Sequence, residues 1–174
     1  LGLEQALTRL ERNRGWYNLG THMAWIGDRT RALDGAHVEY FRGIRNPIGL
    51  KVGNSMEPQQ LVELIRILNP ENERGRLTLI HRFGAESIRD RLPRLIEAVL
   101  SANLHVLWSC DPMHGNTQTA RNGIKTRSFD DIMSEIFTAF RIHGELKSRL
   151  SGIHLELTGE DVTECTGGPG NLTE

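Results

Sequence analysis

Cysteine is scarce. Cys110 and Cys165 are the only two in 174 residues, too few for a disulfide framework and suited to a reducing compartment. Long apolar runs are missing too. None approaches the roughly 20 residues that a bilayer-spanning helix needs, and no signal-peptide pattern opens the chain. Nor is there an excess of charge of one sign, because 21 Lys and Arg stand against 22 Asp and Glu, a net charge of −1. Nucleic-acid-binding surfaces carry a basic excess, so the balance argues against one. What remains, 38% hydrophobic and 25% charged, is the composition of a soluble globular protein. A cytoplasmic protein is expected. There is also no opening Met, and no closing element follows the Gly167-Gly168-Pro169-Gly170 stretch, so an incomplete chain is expected.

What is present is a recurring pattern. Five times a short apolar run ends in a charged or metal-capable side chain, and a helix-like stretch or polar loop follows. The endings are Asp28-Arg29, Lys51, Arg82, Asp111 with His114, and Glu156. Parallel strands of a (β/α)8 barrel present their C-terminal ends on one face, where side chains from several strands build the active site. The strand-end positions 28, 51, 82, 114 and 156 step by 23, 31, 32 and 42 residues. A full barrel takes about 250 residues, or about 31 per unit. The expectation is therefore an α/β chain, part of a TIM (β/α)8 barrel, supplying about five βα units as a single domain over 1–174.

Hydrophobic periodicity predicts helices over 3–12, 30–44, 58–68, 85–102 and 129–147, with strands at 21–26, 48–52, 76–81, 105–110 and 152–157. Leu3, Leu7 and Leu10 share one face of the first helix. Pro58 suits a first helical turn, and Asn69-Pro70 ends that helix. Pro93 predicts a kink or boundary. The run 105–110 reads as a strand covered on both faces. A polar loop containing Asn122-Gly123 leads to Ser128, which can cap the helix after it, with Asp130 and Asp131 at its positive end.

The candidate chemistry lies at the strand ends. Arg29, Lys51 and Arg82 follow three successive strands, and Lys125 and Arg127 lie in the loop after the fourth. Arg offers bidentate donors to carboxylate or phosphate, and Lys a point charge. Cations gathered without an anion repel by about 1–4 kcal/mol per pair at 4 Å, depending on the dielectric. Their convergence therefore points to an anionic, phosphorylated substrate, and solvated surface charge is the bland alternative. His114 and Glu156 would be neighbours at adjacent strand ends, and His with carboxylate suits a divalent transition ion. Cys110 reads either as a softer ligand or as a small buried core residue. His81 and the remaining histidines carry no ligand spacing, although His154 alternates with Glu156 and so shares its face.

Five strings then become informative together. They are Trp25-Ile26-Gly27-Asp28-Arg29-Thr30-Arg31, Leu33-Asp34-Gly35-Ala36-His37, Asn46-Pro47-Ile48-Gly49-Leu50-Lys51-Val52-Gly53, Cys110-Asp111-Pro112-Met113-His114-Gly115-Asn116-Thr117 and the run from Glu156 to Cys165. In this order they resemble the class II (plant-type) 3-deoxy-D-arabino-heptulosonate 7-phosphate (DAHP) synthases, over nearly all of 16–171. The resemblance implies a TIM barrel that condenses phosphoenolpyruvate with erythrose 4-phosphate, the first step of the shikimate pathway to aromatic amino acids. Phenazine-pathway enzymes share the family. It further implies a divalent metal, Mn2+ or Co2+, and a homo-oligomer in the complete enzyme, with no nucleic-acid or membrane partner.

Carried over by motif, His114 and Glu156 would be metal ligands. Asp28, Arg29, Lys51 and Arg82 would bind phosphoenolpyruvate, with Lys51 and Arg82 catalytic. Lys125 and Arg127 would serve the aldose phosphate. The family's other two ligands, a Cys from an N-terminal segment and an Asp from the strand beyond Glu156, have no counterpart here. The 174 residues alone are therefore expected to be inactive, and aggregation-prone or dependent on another segment. Two alternatives stand beside this reading. One is a truncated, non-catalytic paralogue that binds a phosphorylated metabolite or partners another chain; the other is a different metal-dependent aldolase on the same fold.

Overall fold

The computed structural model describes residues 1–119, 123, 125–157, 159 and 165–168. Asn122, Thr158, Glu160 to Glu164, and Pro169-Gly170 of the motifs above lie outside the described residues. In chain order the elements are α1 (Gly2–Ala6), β1 (Thr8–Glu11), β2 (Gly15–Asn18), β3 (Ala24–Ile26), a 3-10 turn (Asp28–Thr30), α2 (Ala36–Gly43), β4 (Ile48–Val52) and α3 (Pro58–Leu68). There follow β5 (Leu77–His81), α4 (Ile88–Ser101), β6 (Leu107–Cys110), β7 (Thr117–Thr119), β8 (Lys125–Arg127), α5 (Phe129–Glu145) and β9 (Leu150–Ile153). No helix among the described residues is long and apolar enough to cross a membrane.

The central sheet is five-stranded and parallel, in the order β3-β4-β5-β6-β9. Helices join its strands and pack in sequence, α2 on α3, α3 on α4 and α4 on α5. Such a sheet, with one strand added per βα unit, is an arc of a (β/α)8 barrel. Period-two alternation gives it two faces. Ile48, Leu50 and Val52 of β4, Leu77 and Leu79 of β5, and Trp108 and Cys110 of β6 belong to the core beneath the helices. Lys51, Arg82 and Asp111 fall on the other phase. The helices reply with stripes, Leu61, Leu64, Ile65 and Leu68 on α3 and Ile88, Leu92, Leu95, Ile96 and Val99 on α4. Each fully buried aliphatic side chain contributes about 1.5–3 kcal/mol.

Several expectations need correction. The first helix stops at Ala6, and Thr8–Glu11 pairs antiparallel with Gly15–Asn18 as a hairpin. Leu3 and Leu10 are 70% and 60% exposed, so no core rewards the helical stripe. Asn13 and Gly15 adopt positive φ and turn the chain. The expected 30–44 helix is a 3-10 turn followed, after a gap, by Ala36–Gly43. Pro93 interrupts nothing. It lies inside α4, where the missing N–H removes one backbone bond and five buried side chains hold the helix down. The polar loop before α5 contains a two-stranded hairpin, β7-β8. The last strand ends at Ile153, so Glu156 sits in the loop beyond it rather than at its tip.

Loops after β5 and β6 touch at two glycines. A Cβ on Gly115 would lie 2.3 Å from the Gly84 nitrogen and 2.9 Å from the Phe83 carbonyl carbon. Backbone cannot swing aside as a side chain can. Gly115→Ala is therefore expected to cost about 1–3 kcal/mol through forced backbone displacement, read from urea unfolding. An unchanged midpoint would mean that the two loops part freely.

Candidate active site

All eight residues singled out in the sequence line one cavity of about 730 Å³ beyond the strand ends, within the size range of small-molecule sites. Asp28 and Arg29 come from the turn after β3, Lys51 from β4, and Arg82 directly follows β5. His114 follows β6, Lys125 and Arg127 belong to β8, and Glu156 follows β9. Five cationic side chains thus face two carboxylates among the lining residues. Trp25 and His154 complete one wall, edge to face at 5.6 Å. Burial, then repulsion from Lys51, lowers the His154 imidazole below its ordinary range.

Behind the lining sits Asp111, which is fully buried. Lys51 Nζ donates to its Oδ2 at 2.5 Å. Its Oδ1 accepts from the Met113 and His114 backbone N–H groups at 3.1 and 3.2 Å. Its Oδ2 also lies 2.8 Å from His114 Nδ1. Burial by itself would raise the Asp111 carboxyl, but the hydrogen bonds from Lys51 and His114 outweigh it and hold the group below the usual carboxylate range. His114 is fixed from three sides, since Arg82 also donates to its carbonyl oxygen at 2.8 Å. Arg127 donates through Nε to the Met113 carbonyl at 2.8 Å and lies 3.6 Å from Glu156 Oε2.

Asp28 makes a different kind of contact. Its Oδ1 accepts from Arg31 Nε at 2.9 Å and from the Gly53 N–H at 3.1 Å. A Cβ on Gly53 would stand 2.3 Å from Asp28 Oδ2, so only glycine leaves room. Arg31 is held in turn by Gln60 and Ser55, each at 2.7 Å. The carboxylate therefore ties the turn after β3 to the end of β4, and Arg29 beside it is exposed to the cavity.

Among the described residues, two places could hold a metal. In the cavity, His114 Nε2 is 3.0 Å from Glu156 Oε1 while Nδ1 faces Asp111. One ring N–H cannot serve both carboxylates, so the second nitrogen needs either a proton or a cation. A carboxylate behind the far nitrogen is the usual orienting partner of a ligating imidazole. His114 and Glu156 therefore fit as two ligands of a divalent ion. The other place is inside the protein, where ligand atoms of His81, Cys110 and Glu135 lie within 4.8 Å of one another. Cys110 was open in the sequence as a softer ligand and His81 was set aside for want of ligand spacing, while Glu135 and the bracing roles of Asp111 and Arg31 were not foreseen. For Asp111 a signal existed, a carboxylate three residues before His114. For Glu135 there was none.

A sequence model described as the class-II DAHP synthetase family matches residues 1–174. A phospho-2-dehydro-3-deoxyheptonate aldolase of Neurospora crassa is 55% identical over 161 residues, 91% of this chain and 34% of that protein. Another so named, from Streptomyces coelicolor, is 51% identical over 169 residues, 97% of this chain and 38% of its own length. The chain thus spans little more than a third of the curated relatives it matches.

Removing the Asp111 charge should expose the dependence of the site on it. Asp111→Ala leaves the Lys51 ammonium buried and unpaired, and a loss of about 3–5 kcal/mol is expected. The double variant Lys51→Met with Asp111→Leu should recover much of that loss in the same denaturant titration. Equal losses in both would mean that packing, not the unpaired charge, sets the cost.

Proposed function

The chain belongs to the class-II DAHP synthetase family, and on that premise we propose that its cavity is part of the active site of a DAHP synthase. The reaction is the aldol-type condensation of phosphoenolpyruvate with erythrose 4-phosphate, giving DAHP and phosphate. The observation that carries this reading is the convergence of Arg29, Lys51, Arg82, Lys125 and Arg127 on one cavity beside His114 and Glu156. A doubly charged phosphate with a neighbouring carboxylate is the kind of anion such a wall attracts, and the relatives' name, phospho-2-dehydro-3-deoxyheptonate aldolase, agrees with that substrate class.

In this reading Arg29 and Arg82 present fork-shaped donors to the phosphate and carboxylate of phosphoenolpyruvate. Lys51 adds a point charge whose position Asp111 fixes. Held in this way, the terminal methylene carbon of the enol is aligned for attack on the aldehyde carbon, which removes much of the entropic part of the barrier. The same cations stabilise the charge that develops as phosphate departs and water adds to the carbon that bore it. Asp28 acts through position, by fastening the turn that carries Arg29. Lys125 and Arg127 receive the aldose phosphate on the opposite wall. His114 and Glu156 would hold a divalent cation such as Mn2+ or Co2+, which would supply Lewis acidity. The free thiols of Cys110 and Cys165 suit a reducing, cytoplasmic setting.

The test is phosphoenolpyruvate consumption in the presence of erythrose 4-phosphate, with Mn2+ or chelator, on the protein in its full coding length. Arg82→Ala and His114→Ala are each expected to lower kcat/KM by about 100-fold or more, and chelator to abolish turnover reversibly. Arg89→Ala, outside the cavity, should leave it unchanged. Full activity in Arg82→Ala or His114→Ala would overturn the assignment.

A further inference from the structure

On the helix-facing side of the sheet, opposite the cavity, three metal-capable side chains meet in the interior. His81 ends β5 and Cys110 ends β6, and the two are partners in the parallel register. Glu135 reaches them from α5. All three are fully buried, and one ligand atom from each lies within 4.8 Å of the other two. Imidazole nitrogen, thiol sulfur and carboxylate oxygen form a donor set for a borderline divalent ion of the zinc class.

A second observation points to a ligand. Among the described residues, the buried side-chain nitrogen and oxygen atoms that lack any hydrogen-bond partner are three: Nδ1 and Nε2 of His81, and Nε2 of His143. His143 lies beside His81, its ring centre 6.1 Å away. The two orphan nitrogens of His81 lie where a thiol and a carboxylate are also at hand. Burial keeps both rings neutral, lowering His81 to about 3 and His143 to about 4, so each offers a lone pair rather than a charge. Glu135 accepts from the Phe83 and Gly84 N–H groups and from Asn116, three bonds that leave one of about four lone-pair sites. A dication with one thiolate, one carboxylate and neutral imidazoles carries no net charge, the condition for burial away from water.

We propose that His81, Cys110 and Glu135 bind a divalent zinc-class cation as a structural site. On binding, the Cys110 S–H bond breaks, its proton leaves to solvent and the sulfur lone pair forms the bond to the ion. The site pins α5 to the ends of β5 and β6. It lies across the sheet from His114 and Glu156, so it neither completes nor replaces that pair, and it stands independently of the proposed reaction.

Co2+ is the probe, because a cobalt–thiolate bond gives a ligand-to-metal charge-transfer band in the near ultraviolet that carboxylate and imidazole ligands alone do not give. These 174 residues hold two cysteines, and substitution separates them. The band is expected in the wild type, retained in Cys165→Ser and in His114→Ala, and lost in Cys110→Ser and His81→Leu. Absence of the band in the wild type, or its loss in Cys165→Ser, overturns the proposal. Should Cys110→Ser fail to fold, His81→Leu in the His114→Ala background decides: a thiolate band that survives there belongs to a site other than this one and overturns the proposal.

Discussion

The geometry at the strand ends hangs on the Asp111 carboxylate. Two oxygens, shielded from water, receive the Lys51 ammonium, two backbone N–H groups and the His114 ring. A buried ion pair gains little net stability over well-packed apolar groups, because desolvation cancels most of the attraction. What it supplies here is position. Lys51 on β4 and His114 beyond β6 are separated by β5 in the sheet, and one carboxylate sets the distance between them. The Lys51 ammonium is thus partly neutralised before any ligand arrives.

Period-two alternation in a sheet with helices on one face and the cavity on the other separates two kinds of chemistry. His81 and Arg82 are consecutive, as are Cys110 and Asp111, yet each pair divides between opposite faces. One member goes to the cavity network and the other to the helix-facing interior, where Trp108 and Phe83 flank His81. The faces also differ in dielectric surroundings. On the cavity side, ion pairs and water-accessible charges predominate. On the helix side, burial holds the imidazoles neutral and raises the Glu135 carboxyl to about 7, even though it accepts hydrogen bonds from backbone and Asn116.

Local signals with a stereochemical cause were readable in the sequence. Pro58 and Asn69-Pro70 bracket a helix that runs over Pro58–Leu68 in the structure, and Ser128 caps α5 through the Asp131 N–H. Strands β4, β5 and β6 fall inside the predicted apolar runs. The grouping of the eight strand-end residues around one cavity followed from the barrel pattern. Signals without such a cause misled or were silent. Leu3, Leu7 and Leu10 make a helical stripe, but nothing packs on it, and a hairpin turned at Asn13 wins. The segment Thr117–Thr119 is wholly exposed and polar, so no alternation announced β7. His81, Cys110 and Glu135 stand 29 and 25 positions apart. Only strand register and helix packing bring them together, and neither is a property of short windows.

Glu135 shows how the two faces communicate despite the sheet between them. Its Oε1 accepts from the Phe83 N–H, beside Arg82, and its Oε2 from Asn116, two residues past His114. Asn116 extends the same bracing, donating to the Pro112 carbonyl and accepting from the Ala85 N–H. Gly84 and Gly115 lie backbone to backbone at that point. One buried carboxylate on a helix thus grips both loops that carry Arg82 and His114, from the side the cavity never touches. A carboxyl whose burial favours its neutral form needs compensation to remain an acceptor on both oxygens. The neighbouring interior donors are therefore part of what keeps the cavity in shape, even though none of them lines it.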